Sequence, residues 1–527
     1  MPITGREMKR PQEIHFLSDE TVQAGELLDS LAPSFVIEET ERLTGKKQYY
    51  DTFDWRLFRA GCLFTFEGQG VELSRFNGVP VAAIPAGRRE QYFWWDIRES
   101  ELREKIRSII EMRAMLPLLS LDYDRKTFRV LNKDRKTVAR IVLRNEQASA
   151  GGAHLALPER LSLHEIRGYG NVFDKICKSC STAGLRPVDT MQELLTLAFS
   201  VSNRKPLDYG AKFRVELPDS GTVGEAVAKI CLALAEAMAT NHAGVCKDID
   251  SEFLHDFRIA VRRTRSLLSL LKKELPPEQT TFFQAEFKWL GDVTGPVRDI
   301  DVYLLKREEY LAMLPATLHA GLNLFFDELD RRRKSEVKRL RRCLLSQRYQ
   351  KLIDEWYHYL STPDSALFAA RRNRRCRVVA DKQIKKRFAS FLRDGDAITV
   401  KSPDREMHRL RIKGKKLRYL LEFFRAFYDD AEVERFLKHM KKLQDNLGAL
   451  NDLSVQQQML AARLAQLDPR TERSMQIGAS LGGLISVLAG KKKRVRSAFR
   501  RSYADFSKAS NRDLLNSLIA DSRRGMS

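Results

Sequence analysis

Four basic residues recur at helical spacing in the segment HDFRIAVRRTRSLLSLL, residues 255–271: His255, Arg258, Arg262 and Arg265. At about 100° per residue they fall within an arc of roughly 80°, in a stripe about 15 Å long. A surface helix ordinarily mixes its charges so that residues three or four apart can pair. This stripe contains no acid, so its cations repel one another until an anion relieves them. Guanidinium groups meet phosphate oxygens through paired hydrogen bonds, and one helix stripe can meet successive phosphates.

The stripe occurs twice. HRLRIKGKKLRYLLEFF, residues 408–424, repeats it as His408, Arg411, Lys415 and Arg418 at an offset of 153. The same offset pairs Leu290 with Leu443, Asp292 with Asp445, Gly295 with Gly448 and Asp299 with Asp452. Register held over so long a stretch implies a duplicated helical unit and a pseudo-two-fold arrangement. Phe257, Ile259, Leu267 and Leu268, and in the second copy Leu410, Ile412, Leu420 and Leu421, are expected to form the apolar faces. Further basic runs follow each stripe. One is Arg331–Lys334 with Lys338, Arg339, Arg341 and Arg342; the other is Lys491–Arg494 with Arg496, Arg500 and Arg501. About half of these residues are expected to be solvated helix faces. Lys338, Arg339, Arg342, Lys491 and Arg494 join the candidate anion site. The two histidines have no second ligand at metal spacing, so they read as packing or hydrogen-bonding residues whose titration can modulate anion affinity.

The elements that hold these stripes follow from the whole chain. Its 527 residues exceed one ordinary core, and about 150 residues per domain suggests two to four domains. With 43% hydrophobic and 31% charged residues, it is neither a disordered nor a collagen-like chain. The longest apolar run, residues 477–490, falls short of the ~20 residues a membrane helix needs, so no membrane insertion is expected. The opening MPITGREMKRPQEIHF lacks an apolar signal region, and seven scattered cysteines suit a reducing compartment, so a cytoplasmic protein is expected. Charge is unevenly placed. Residues 1–210 hold 31 basic and 29 acidic side chains, so nearly all of the net +23 lies beyond them, where a polyanion partner should be sought.

Residues 12–170 read as mixed α/β. Strands are predicted at 13–17, 63–67, 91–97, 127–131, 138–143 and 161–167, and helices at 100–115 and 172–183. Pro, Gly and Ser in residues 203–222 mark a boundary, after which apolar residues at three- and four-residue spacing predict an all-α domain. Cys177 and Cys180 read as a helix face rather than a zinc motif. The stretch GASLGGLISVLAGKK at 478–492 lacks nucleotide-loop spacing and reads as close helix packing.

The pattern H-x-x-R-x-x-x-[RK]-[RK]-x-R, present twice and followed by LGDVTGPVRD or LQDNLGALND as a turn, resembles the CHAD domain family over about 220–510. That resemblance implies two pseudo-symmetric four-helix bundles whose basic stripes face a central groove or pore that binds inorganic polyphosphate. It adds Arg298, with Asn451 as its unequal partner. The N-terminal segment YYDTFDWRLFRAGCLFTFE, residues 49–67, is similar to CYTH, or triphosphate tunnel, domains, implying an α+β antiparallel β-barrel with metal-holding acids. Here the first strand, Glu13–Leu17, lacks the second acid and the lysine, Phe64 and Phe66 stand where arginines are expected, and the late strand keeps Glu165. The expected organisation is a degenerate CYTH-like domain at 1–205, a linker at 206–222, the CHAD domain at 223–510 and a tail at 511–527. Glu13 and Glu165 alone do not build a two-metal phosphoryl site, so no catalytic residue, metal or cofactor is assigned. Polyphosphate binding leads; a metal-dependent inorganic triphosphatase and a nucleic-acid binder are the alternatives.

Overall fold

The longest strands of the N-terminal unit are written in charges rather than in apolar alternation. A computed structural model of the protein describes residues 13–18, 24–188, 192–202, 204–210, 213–368 and 374–524, with backbone alone at 24–27 and 521–524. Residues 1–12, where a signal region was sought, and 525–527 of the expected tail lie outside the described residues. The chain divides into two compact units, Met1–Ala211 and Lys212–Ser527.

In the first unit the order is β1 (Glu13–Leu17), α1 (Ala24–Leu31), β2 (Val36–Thr52), α2 (Arg56–Arg59), β3 (Cys62–Glu67), β4 (Gly70–Arg75), β5 (Pro80–Pro85), α3 (Glu101–Ile110), β6 (Met115–Leu131), β7 (Thr137–Ala150), β8 (Ala153–Ala156), β9 (Arg160–Glu165), α4 (Gly170–Thr182), β10 (Arg186–Val188) and α5 (Gln192–Ser200). The strands form one sheet in the order β10-β1-β9-β7-β6-β2-β3-β4-β5, with β8 beside β7, and its antiparallel pairing is consistent with a tunnel-like fold. β2 escaped the sequence reading because its middle, EETERLTGKK, has no apolar face. Cross-strand ion pairs to β6 stand in for one: Arg42 to Asp124 at 2.7 Å, Lys46 to Asp122 at 3.3 Å and Arg129 to Glu38 at 3.1 Å.

Two expectations change here. Residues 91–97 are not a strand but a single bridge at Tyr92 followed by a tight turn at Trp94–Asp96. The helix read over 100–115 stops at Ile110, because Glu111 takes a left-handed φ of 52° and Met115 already belongs to β6. The segment 49–67 is anchored by Asp51, whose carboxylate accepts from the amides of Leu57 and Phe58 at 2.9 and 2.8 Å and so fixes α2. Gly61, at φ 70°, then turns the chain into β3. One sheet face packs Phe16, Ile141 and Leu163 on Phe173 and Ile176 of α4; the other packs Leu119 and Leu121 on Leu194 and Phe199 of α5.

The second unit is helical: α6 (Val223–Lys247), α7 (Ser251–Leu270), α8 (Pro277–Leu304), α9 (Arg307–Leu311), α10 (His319–Leu344), α11 (Gln347–Ser361), α12 (Cys376–Asp396), α13 (Asp404–Phe423), α14 (Asp430–Leu464), α15 (Glu472–Phe506) and α16 (Ala509–Arg524). The first residues of α6, α7, α8 and α10 precede those of α12, α13, α14 and α15 by 153 in every case. The main helix contacts between the halves join counterparts: α6 with α12, α7 with α13, α10 with α15. The backbone repeats this reciprocity, since Val223 N donates to Arg374 O and its equivalent Cys376 N donates to Gly221 O, at 3.1 and 2.9 Å. Contacts of like with like are what a two-fold relation requires.

The motifs LGDVTGPVRD and LQDNLGALND, read as turns, lie inside α8 and α14. Residues 213–222, read as linker, belong to this unit: Phe213 packs edge-on to Phe423 and under the Arg263 guanidinium. Most of the expected tail is α16, with Leu515, Leu518 and Ile519 buried. The halves approach most closely where α10 crosses α15; a Cβ on Gly321 would stand 2.0 Å from the Gln476 carbonyl. Gly321→Leu should therefore cost about 1–3 kcal/mol or more in urea unfolding. Gly482→Ala, with no neighbour within 4 Å of its Cβ, should instead add about 1 kcal/mol.

Candidate functional site

Helices α7 and α13 present the two stripes and bury their opposite faces. Phe257, Leu267 and Leu268 on α7, and Leu410, Leu420 and Leu421 on α13, are buried as read. Ile259 is only half-buried and Ile412 is exposed, because each lies at the flank of its helix's apolar arc. The helices meet through charged and aromatic side chains. Arg262 Nε donates to Tyr419 Oη at 2.9 Å, and Arg263 pairs with Glu422 at 2.9 Å; Glu422 also holds Arg418 at 3.3 Å.

Within the first half, Arg258 lies over α8 and donates to Gly291 O at 2.9 Å and Thr294 Oγ1 at 2.8 Å. Gly291 leaves room for Arg265, whose guanidinium would stand 2.6 Å from a Cβ there. Arg298 reaches Ser251 O at 3.2 Å and Glu252 at 3.5 Å. Burial, then Arg298, holds His255 below the usual imidazole range. Burial raises the Asp299 carboxyl although Arg258 and Arg298 oppose it.

In the second half, His408 Nδ1 lies 2.5 Å from Asn451 Oδ1, Arg411 sits 3.8 Å from Asp452, and Arg418 donates to Gln444 at 3.0 Å. Gln444 occupies the position equivalent to Gly291. Lys415 makes no hydrogen bond or ion pair among the described residues, and burial with Arg411, Arg262 and Arg418 around it holds its ammonium down to about 8. Arg262 also acts on Arg411, so the stripes share one electrostatic environment. Tyr419, Thr294 and Gln444 were missed in the sequence; their signal was position, one helical turn from a stripe residue or opposite it on the neighbouring helix.

The other expected residues lie on α10 and α15. Lys338, Arg339 and Arg342 are exposed on α10 and Arg494 on α15. Lys491 turns to Glu309 at 3.4 Å, and Arg339 lies 3.8 Å from Glu336. Three neighbours in the basic runs are structural. Arg333 bridges Asp248 and Asp301, while Lys492 and Arg496 hold Asp404 at the start of α13.

The strand unit holds a cavity of about 280 Å³ between the sheet and Leu194, Leu195 and Ala198 of α5. Lys47, Glu67, Arg125, Arg144, Glu146 and Arg160 line it, so the tunnel charges are less depleted than the sequence reading held. The error was one of parity: Phe64 and Phe66 pack toward α3, on the face away from the cavity. Most lining charges are paired internally, Lys47 with Glu67 at 3.1 Å, Arg160 with Glu146 at 2.8 Å and Arg125 with Glu41 at 3.1 Å. Arg144 bonds Ser162 at 2.8 Å, and burial beside Arg160 lowers its guanidinium to about 10. Glu13 meets His164 at 3.4 Å, whereas Glu165, one residue on, points to the opposite face, so these two acids do not converge. Among the described residues no group of three or more His, Cys, Asp and Glu side chains is placed to hold a metal ion, and no helix is long and apolar enough to cross a membrane.

Comparison with known proteins bears on the helical unit. The CHAD domain family model matches residues 229–461. Among solved structures, the CHAD domain from the plant Ricinus communis is similar at 24% identity, covering 56% of this chain and 97% of its own, with a TM-score of 0.46. PptA from Streptomyces chartreusis is similar at 17% identity over 54% of this chain and 100% of its own, with a TM-score of 0.41. Comparison with curated proteins gave no match. The matched residues hold both stripes and both α7–α8 and α13–α14 pairs: the helical unit of this chain contains a CHAD domain.

Proposed function

We propose that the helical unit binds inorganic polyphosphate between α7 and α13, using His255, Arg258, Arg262, Arg265 and Arg298 from one half and His408, Arg411, Lys415 and Arg418 from the other. The observation that carries this reading is the Arg262–Tyr419 bond, which brings two acid-poor stripes into one site. Its basic side chains outnumber Glu252, Asp256, Asp299, Glu422 and Asp452, the acids that act on them, so a flexible chain of phosphates relieves the repulsion along its length. The exposed residues Lys338, Arg339, Arg342 and Arg494, with the half-buried Lys491, would extend the field that draws the chain in.

A nucleic acid would use the same charge but also needs aromatic platforms for its bases. Tyr419 offers none: it is 3% exposed, stacked on Phe423 and tied to Arg262. The internal pairing of the strand-cavity charges supports a non-catalytic role for the N-terminal unit. Seven free cysteines fit a reducing, cytoplasmic setting, where polyphosphate granules would be the natural place of association.

Competition separates the ligands. Polyphosphate should displace RNA or DNA of equal charge, and neither should displace polyphosphate; the reverse order would make the site a nucleic-acid interface. Salt dependence does not discriminate, since it weakens every polyanion complex. Saturating polyphosphate should also raise Tm, because a ligand at about 1,000 times its Kd stabilises the native state by about 4 kcal/mol. An unchanged Tm would count against the site.

A further inference from the structure

The halves differ at a position that the duplication made equivalent. Arg262 on α7 is engaged by Tyr419, whereas its counterpart Lys415 on α13 has no hydrogen bond or ion pair among the described residues. Lys415 is half-buried. Arg262 faces it from α7, Arg411 and Arg418 from its own helix, and Asp452 from α14. The remaining polar neighbours are turned elsewhere. Lys413 holds Ser390 and Asp394 of α12, Lys416 faces Arg387 of α12, Gln444 of α14 is taken by Arg418, and Asp452 is shared with Arg411 and Asn451. Three guanidinium groups thus act on one amine, with a single shared carboxylate in opposition.

We propose that this site binds its anion and a proton together: Lys415 is neutral in part of the free molecules and takes up a proton when a polyanion enters. The inference rests on the polyanion reading above and assigns it a pH dependence carried by one residue. Burial and the arginines favour the neutral amine and hold the Lys415 ammonium down to about 8 in the free protein. Phosphate oxygens beside the nitrogen reverse that preference. Arg262 contributes no such linkage, because a guanidinium stays protonated throughout. The sign follows. Anion binding is strongest below the free-state value and weakens as pH rises through it, by about tenfold between pH 7 and 9.

The test is calorimetry of the full chain with polyphosphate of uniform length, at pH 8.5 in two buffers of different ionisation enthalpy. Wild type should take up about 0.7 proton per bound chain, and Lys415→Arg essentially none from this position. Lys415→Arg should bind as well as wild type at pH 7 and about tenfold more tightly at pH 9. Ionisation of the terminal phosphates and of Lys416 affects both proteins alike. The histidines are the same in both proteins, so any proton they exchange cancels in the comparison. Equal proton uptake by the two proteins would overturn the role of Lys415 while leaving polyphosphate binding intact. Absence of binding at pH 7 in both would overturn the polyanion reading and this inference with it.

Discussion

Replacing Arg258, Arg262, Arg411 and Lys415 together by Glu should reduce polyphosphate affinity by at least about 1,000-fold. A charge-assisted hydrogen bond contributes about 1.5–3 kcal/mol, so losing two or three of four accounts for a loss of about 4 kcal/mol before any repulsion is added. Two of these residues also support the fold, Arg258 through Gly291 and Thr294 and Arg262 through Tyr419. A milder pair therefore isolates binding. Arg411→Gln with Lys415→Gln disturbs only the 3.8 Å approach to Asp452, and should keep its circular dichroism and Tm while losing about 10–100-fold in affinity. Affinity within twofold of wild type in a folded variant would sink the assignment.

Arg333→Met should have the largest effect on stability. Arg333 Nε donates to Asp301 at 2.5 Å, while its two terminal nitrogens meet the carboxylate of Asp248 at 2.7 Å each. Asp301 is 3% exposed, and burial already raises its carboxyl against the pull of Arg333. Removing the guanidinium leaves a buried carboxylate unpaired, which typically costs about 3–5 kcal/mol. Arg348→Met, which breaks a pair with Glu286 at 2.9 Å whose arginine is exposed and lies over Trp289, should cost about 1 kcal/mol, well below Arg333→Met. The pH dependence has a definite sign. An unpaired buried carboxyl titrates higher folded than unfolded, so Arg333→Met should regain stability as pH falls from 8 toward 5. Urea unfolding of the two variants at both pH values decides it. A loss from Arg333→Met no greater than that from Arg348→Met would show that the bridge is not holding α8 to α10.

Arg333 also shows where a sequence stops being informative. In Arg331–Lys334 four cations look alike, and only the fold reveals that one of them has two carboxylates within reach while its neighbours face outward. The stripes were legible because a period of 3.6 fixes which residues share a face whatever the helix packs against. The α8 and α14 motifs were not, because Gly291, Gly295 and Pro296 carry the residue types of a turn. In the structure two of these glycines sit within a helix beneath arginines, Gly291 under Arg265 and Gly295 under Arg258. The strand unit failed differently. Its lining residues recur at every second position, Leu119, Leu121, Tyr123 and Arg125 on β6 and Arg144 and Glu146 on β7, but a period of two has two parities, and the reading of β3 took the one that faces α3. The middle of β2 gave no parity, being polar on both faces.

The bond between Arg262 and Tyr419 has no mirror image. The equivalent pair, Lys415 and Ser266, is not joined; the Ser266 hydroxyl bonds instead to the Arg262 carbonyl of its own helix. The backbone near Thr222 and Arg375 obeys the two-fold relation while the floor of the site departs from it, so the site has a direction along it that its scaffold lacks. Inorganic polyphosphate has none, because its chain reads the same from either end. Either terminus can lead into such a site and find the same sequence of partners, and no encounter is lost to a reversed strand. A nucleic acid, with unlike 5′ and 3′ ends, would present two inequivalent orientations, of which the site would favour one.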